Sequence, residues 1–368
     1  MSETLFTPCQ IGNLELENRF IRSATWDATA DATGMVTDTS LDIYERLGEG
    51  NIGLIVSGYA FVSTHGQAVH GQYGVHNNEM IPGLSRLAQA VHEGGGKIAL
   101  QIVHAGVSSG YLTQKGVTLL AVSEMPGVKR PHREMTDEDI EGIIDDFAAA
   151  AARGREAGFD AVQLHGAHGY LMSQFLSPLF NQRTDRWGGS PENCRRFHTE
   201  VIHRVRQAIG SDFPFFIKFG VMDDRESGLS LEDGVEAARQ MVAAGIDAIE
   251  VSAGVGQGAY LNQKGEPMAT PFRERAATVK RAVTVPVVLV GGIRSLETAQ
   301  DIVASGDADM VSMCRPFIRE PHLITRWQRG EITPAACITC NKCMAIVRRG
   351  EPLECGEEQR LSEEASIG

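Results

Sequence analysis

The chain has 368 residues, a length that one α/β barrel with insertions or two smaller domains can fill. Hydrophobic residues make up 42% and charged residues 22%, and no apolar stretch nears the roughly 20 residues that a membrane-crossing helix needs, which excludes a helical membrane protein. Lys plus Arg number 34 against 47 for Asp plus Glu, and the resulting charge of −13 argues against nucleic acid as a partner and requires a local basic cluster for any anionic ligand.

Met1-Ser-Glu-Thr-Leu-Phe6 has no basic-then-apolar leader pattern. Seven cysteines, four of them crowded near the C-terminus, do not look like an extracellular disulfide framework, so a reducing cytoplasm is the expected compartment. Glycine, at 40 residues, stands above the average of roughly 7%, as tight βα turns and close approach to a phosphate demand.

Taken in chain order, the first strand-like run is 18–25, NRFIRSAT. GEGNIGLIVS (48–57) and HEGGGKIALQ (92–101) then follow one grammar, in which a helical pattern ends in small residues and Gly and a short apolar strand begins at once. A long helix is predicted over 136–157, with Thr136 and Asp139 as its cap and Ile140, Ile143, Ile144, Phe147 and Ala151 as its apolar stripe. The same grammar returns more strictly in EAGFDAVQLH (156–165), AAGIDAIEVS (243–252) and ASGDADMVSM (304–313), each with Gly where a helix needs a left-handed C-terminal residue. PFFIKFG (214–220) and VPVVLVGG (285–292) complete eight nearly continuous apolar strands, the pattern of strands buried on both faces. Eight alternating strands and helices without a composition break predict a closed (β/α)8 barrel over residues 1–330, with a cysteine-containing extension, 331–368, packed on it; a doubly wound sheet is the topological alternative. Gly48, Gly50 and Gly53 satisfy G-x-G-x-x-G, but they precede a strand and follow a helix, so they mark a helix-ending turn and not a dinucleotide fingerprint.

Barrel chemistry is assembled where strands end. There the sequence places Gly58, Gln101 and His104, His165 and His168, Lys218, Ser252, Gly291 and Gly292, and Arg315. His165-Gly-Ala-His168-Gly-Tyr170 sets two imidazoles and a phenol at one strand mouth. Neutral imidazoles can donate to a carbonyl oxygen whose conjugated C=C accepts hydride, and Tyr170 can protonate the α-carbon. The plainer reading, hydrogen-bonded core residues, suits a lone histidine better than three such groups in six residues. Lys218 can stabilise electron density on a flavin ring whose pyrimidine edge pairs with Gln101; a core lysine with a carboxylate partner and a Schiff-base lysine are its other readings. Gly291, Gly292 and Arg315 are the equipment for one phosphate monoester.

Over nearly its whole length the chain resembles the Old Yellow Enzyme family of FMN-dependent ene-reductases. The resemblance lies in Asn18-Arg19, Gln101-Ile-Val-His104-Ala-Gly106, His165-Gly-Ala-His168-Gly-Tyr-Leu171, Phe175-Leu-Ser-Pro178, Asn181-Gln-Arg183-Thr-Asp185-Arg-Trp187-Gly-Gly-Ser190 and Glu192-Asn193. It implies FMN contacts at Ala24, Thr25, Gly58, Gln101, His165, Lys218, Gly291, Gly292 and Arg315, with His165, His168 and Tyr170 facing the substrate. It also implies NAD(P)H as a transient co-substrate that leaves before an α,β-unsaturated carbonyl compound enters the same pocket; a homo-oligomer is compatible with it. Trp26 stands where many relatives carry Cys or Thr, Lys218 replaces a more frequent Arg, Cys194 a usual Arg, and Cys314 a common Gly.

Cys337-x2-Cys340-x2-Cys343-x11-Cys355 can wrap one [4Fe–4S] cluster, with zinc or an unoccupied motif as alternatives. This tail resembles the cluster-binding segment of 2,4-dienoyl-CoA reductase and trimethylamine dehydrogenase, although its middle gap is one residue shorter than in the dienoyl reductase pattern. A cluster here would need a separate electron-transfer partner. The expected activity is hydride transfer from NAD(P)H through FMN to an activated C=C. Amine dehydrogenation or demethylation, a Schiff-base aldolase using Lys218 and a non-catalytic electron carrier are the alternatives. Isolated Cys9 reads as a buried small apolar residue.

Overall fold

The computed structural model describes residues 4–125, 127–256 and 268–367. An antiparallel hairpin, β1 (Cys9–Ile11) and β2 (Leu14–Leu16), opens the chain. Eight parallel strands then close on themselves: β3 (Phe20–Arg22), β4 (Leu54–Val56), β6 (Ile98–Val103), β9 (Ala161–Gly166), β10 (Phe215–Gly220), β11 (Ile249–Ser252), β12 (Val287–Val290) and β13 (Met310–Met313), with β13 paired to β3 and β4 to β6. A two-residue strand, β5 (Ala60–Phe61), extends the sheet beside β6, and a parallel pair, β7 (Leu119–Ala121) and β8 (His132–Glu134), lies in the excursion that follows. The fold is the expected (β/α)8 barrel, and each of the eight predicted runs supplies one barrel strand, although 18–25 shortens to three paired residues.

Helices α1 (Asp38–Gly48), α2 (Ile81–Glu93), α4 (Asp137–Glu156), α6 (Pro191–Ile209), α7 (Leu231–Ala244), α8 (Arg273–Ala282) and α9 (Leu296–Ala304) alternate with these strands, and the short α3 (Gly110–Gln114) and α5 (Leu171–Leu176) sit in mouth loops. The α4 helix starts where the sequence says: Thr136 Oγ1 accepts from the Asp139 N–H at 3.1 Å, the Asp139 carboxylate accepts from the Thr136 N–H at 2.7 Å, and Ile140, Ile143, Ile144, Phe147 and Ala151 are buried. The side chains of serines 190, 230 and 295 cap α6, α7 and α9, accepting from the N–H groups of Asn193, Asp233 and Thr298 without the reciprocal backbone bond. Gly158, Gly245 and Gly306 take φ values of 87°, 121° and 76° at the predicted helix ends. The turn after α1 differs in detail. Asn51, not a glycine, is left-handed there (φ 52°), while a Cβ on Gly50 would lie 2.2 Å from the Pro321 carbonyl oxygen, so this glycine answers to close packing.

Side chains two apart on a strand share a face, which divides the barrel interior into layers. Ile21, Leu54, Val56, Ala99, Ala161, Phe216, Ala248, Val288 and Met310 form an apolar floor, and Ile11, Leu14 and Leu16 of the hairpin plug it from below. Cys9 belongs to the rim of this plug; it is half-buried, with its thiol 3.5 Å from the Asn18 carbonyl oxygen, and burial pushes that thiol up to about 11. Above the floor the inward residues turn polar. After β13 the chain continues through α10 (Arg315–Arg319), α11 (Leu323–Gln328), α12 (Lys342–Arg348) and α13 (Gly356–Ile367), and Val347 and Leu353 bury against Ala28. Among the described residues no helix is long and apolar enough to cross a membrane.

Candidate active site at the barrel mouth

The polar layer is a continuous chain of hydrogen bonds. Gln101 Nε2 donates to Gln163 Oε1 (2.6 Å), Gln163 Nε2 donates to Glu250 Oε2 (2.8 Å), and Lys218 Nζ donates to Ser23 Oγ (2.5 Å) and to Glu250 Oε1 (3.2 Å). Strand register aligns these groups, with Gln101 opposite Gln163 and Lys218 opposite Glu250. Burial alone would raise the Glu250 carboxyl, yet the Lys218 ammonium and hydrogen bonds from Gln163 and Ser23 hold it below the usual range.

His165 lies two residues beyond Gln163 on β9 and caps this layer. Its ring centroid is 5.0 Å from that of His168, 4.9 Å from Tyr170 and 5.9 Å from Tyr59. Burial, reinforced by His168 and Lys218, holds His165 well below its ordinary value, and burial with Lys218 brings His168 down to about 3, so both imidazoles are neutral at pH 7. His165 Nδ1 accepts from the Ala167 N–H at 3.3 Å, which leaves the proton on Nε2. His168 Nε2 lies 2.9 Å from Ser252 Oγ, so that nitrogen is engaged with β11. His168 and Gly169 are both left-handed (φ 62° and 73°), and a non-glycine residue held there stores roughly 1–3 kcal/mol, as happens at ligand sites. Burial raises the Tyr170 phenol; the Tyr59 hydroxyl, 3.4 Å away, opposes that rise.

The other predicted residues gather beside β12, β13 and β3. Gly291 and Gly292 are left-handed (φ 106° and 74°), and a Cβ on Gly292 would strike the Thr270 backbone nitrogen at 2.4 Å. With Arg294, Cys314 and Arg315 they line a cavity of about 60 Å³. Thr25 Oγ1 donates to the Ser23 carbonyl oxygen (3.0 Å) and meets Cys314 Sγ at 3.0 Å, which carries the loop that begins at Ala24 to the same place. A Cβ on Gly58 would lie 3.1 Å from the Thr25 carbonyl oxygen. His104 stands apart, its ring packed on Gly66. Trp26 donates from Nε1 to the His70 carbonyl oxygen (3.0 Å) and packs toward Val347 and Leu353. Sequence reasoning missed Ser23, Tyr59, Gln163, Glu250 and Arg294.

The sequence profile of the NADH:flavin oxidoreductase / NADH oxidase family matches residues 4–333. The chain belongs to this family. It is 35% identical over 342 residues to an NADH oxidase of Thermoanaerobacter brockii, covering 92% of this chain and 52% of that protein, so the chain spans about half the length of that relative. An NADPH dehydrogenase of a Geobacillus species (strain WCH70) is 35% identical over 325 residues, covering 88% of this chain and 93% of its own. A solved complex of 2-naphthoyl-CoA reductase with 2-naphthoyl-CoA superposes with a TM-score of 0.88 at 28% identity, covering 96% of this chain and 57% of that one.

FMN is the cofactor of NADH:flavin oxidoreductases of the Old Yellow Enzyme kind, and the residues present fit it. The cavity between Gly291, Gly292 and Arg315 has the size and donors for a phosphate, while the Gln101 to Lys218 layer offers amides and a cation to a pyrimidine edge. The motif over 181–193 turns out to be structural: Asn181 Nδ2 donates to the Phe175 and Trp187 carbonyl oxygens, and buried Arg183 donates to the Val122 and Met135 carbonyl oxygens and to the Asp185 carboxylate. Cys194 lines a separate cavity beside the α6 N-terminus. In the tail, Cys337, Cys340, Cys343 and Cys355 line one small cavity together with Arg315 and Asn341. Among the described residues no three His, Cys, Asp or Glu side chains form a group that could hold a single metal ion.

Proposed function

We propose that the barrel is an NAD(P)H-dependent FMN ene-reductase that reduces the activated C=C of an α,β-unsaturated carbonyl compound. The observation that carries this reading is the neutral His165–His168–Tyr170 set directly above the Gln101–Lys218 layer. FMN, when bound, supplies the two-electron chemistry that links the nicotinamide to the acceptor carbon. Gln101 would hold the pyrimidine edge, and Lys218 would set a fixed cation beside it, charge-balanced by Glu250. His165, through its Nε2–H, and His168 would hold the acceptor's carbonyl oxygen, so that negative charge developing there meets donors already in place. Tyr170 stays protonated at neutral pH and would hold the proton destined for the α-carbon. An ion-paired lysine is a poor amine nucleophile, which weighs against the Schiff-base reading of Lys218.

For the tail, Cys337, Cys340, Cys343 and Cys355 lining one cavity supports the [4Fe–4S] reading, in which each of four thiolates would take one corner of the cluster; zinc held by the same thiolates is the second reading, and iron and zinc analysis of anaerobically purified protein separates the two. Residues 331–368 would then act with the barrel as one unit.

The test uses FMN-loaded protein, NADPH or NADH, and 2-cyclohexenone. Wild type is expected to turn over. His165→Ala/His168→Ala is expected to keep its yellow FMN and lose about 100-fold or more in kcat, the scale of deleted oxyanion donors. Unchanged enone reduction by the double variant would overturn the assignment, and flavin bleaching by amines without NAD(P)H would replace it with amine oxidation.

A further inference from the structure

We propose that Thr339 and Asn341, two residues of the cysteine tail, position Arg294 and Arg315 around the FMN phosphate, so that the tail completes the cofactor site. The inference rests on the FMN reading above. Arg315 NH1 donates to Asn341 Oδ1 at 2.7 Å, and Arg294 NH1 donates to Thr339 Oγ1 at 3.3 Å. Both arginines line the cavity of Gly291 and Gly292, and Thr339 forms part of its wall.

Two features show that these contacts are built in and not chance surface pairings. First, Thr339 and Asn341 are both left-handed, with φ of 63° and 58°. A β-branched residue is rarely found there, so the loop bends sharply at both positions. Second, Asn341 stands at the N-cap of α12, where an asparagine side chain ordinarily accepts from the backbone of the first turn, yet it makes no such bond. Its Oδ1 accepts from the Arg315 guanidinium instead.

The bends also set the course of the cysteines. Cys337 and Arg315 line both the phosphate-sized cavity and the thiol cavity, so the two share a wall. An arginine side chain is long and flexible, and fixing it before the ligand arrives removes part of the ordering cost of binding. A tail that fixes two of them gains affinity for the phosphate without touching the ring system.

The decisive comparison is FMN against riboflavin, which lacks the phosphate, with dissociation constants read from flavin fluorescence on the full chain stripped of flavin. Asn341→Gly removes the amide, keeps a residue at ease at this φ and loses no cap bond. It is expected to weaken FMN about tenfold and leave riboflavin within about twofold. In an Arg315→Ala background it should have no further effect, because the two act as one. Thr339→Gly should weaken FMN selectively as well, through Arg294. Equal weakening of both flavins, no weakening of FMN, or effects of Asn341→Gly and Arg315→Ala that add would overturn the proposal. A wild-type chain that takes up neither flavin would instead remove the FMN reading itself.

Discussion

The Lys218–Glu250 pair shows how one residue serves two readings at once. The two side chains are almost wholly buried, at 4% and 1% exposure, so neither charge can be left alone. Lys218→Met strands the carboxylate and is expected to cost about 3–5 kcal/mol at pH 7 in denaturant unfolding. The sign with pH follows from the Glu250 shift. Its folded value lies below the unfolded one, so the pair stabilises the fold above pH ~4.5 and that contribution fades as pH falls through the lowered value. The deficit of Lys218→Met should therefore shrink in acid as Glu250 takes up a proton, and Lys218→Met/Glu250→Gln should recover most of the stability. A single variant as stable as wild type at pH 7 would show that the pair contributes nothing. Lys218 was legible in the sequence because a cation in an apolar strand is conspicuous. Gln163 and Glu250 were not, although each sits two residues before a residue the sequence did single out, His165 and Ser252, and a period of two puts such partners on one face.

At the scale of elements, the strands and long helices were readable because their signals are local: apolar runs for strands, caps for helix starts, left-handed glycines for helix ends. The hairpin of β1 and β2 was not, since its role is tertiary. Three-residue strands carry little periodicity, and only the closed barrel gives Ile11, Leu14 and Leu16 a floor to seal. Leu16 is fully buried there. Leu16→Ala is expected to cost about 2–5 kcal/mol, from lost transfer energy and the cavity left behind. A thermal midpoint shifted by less than about 1 °C would show that the hairpin is an ornament. The tail was legible as a thiol motif but not as a neighbour of the phosphate cavity, because nothing in the spacing of Cys337, Cys340 and Cys343 says which arginines Thr339 and Asn341 will meet.

For the molecule as a whole, buried histidines set the acid limit. Burial brings His104, His168 and His198 each down to about 3, and holds His165 well below its ordinary value. All four stay neutral in the fold, while the unfolded chain binds their protons near pH ~6.5. Stability from this source is complete above that pH and is lost progressively as pH drops toward 3. His198, on α6, is separable from the mouth, and neither of its ring nitrogens has a hydrogen-bond partner. His198→Phe should flatten the fall in thermal midpoint between about pH 6.5 and 5 without loss at pH 7.5. An unchanged slope would point to other groups as the source of acid sensitivity.

The sealed floor also bears on traffic. With Leu14, Leu16 and Ile11 filling one end, anything that reaches the polar layer must come and go by the opposite doorway. Two reactants that need the same spot must then queue, and a surplus of either one holds the threshold against the other.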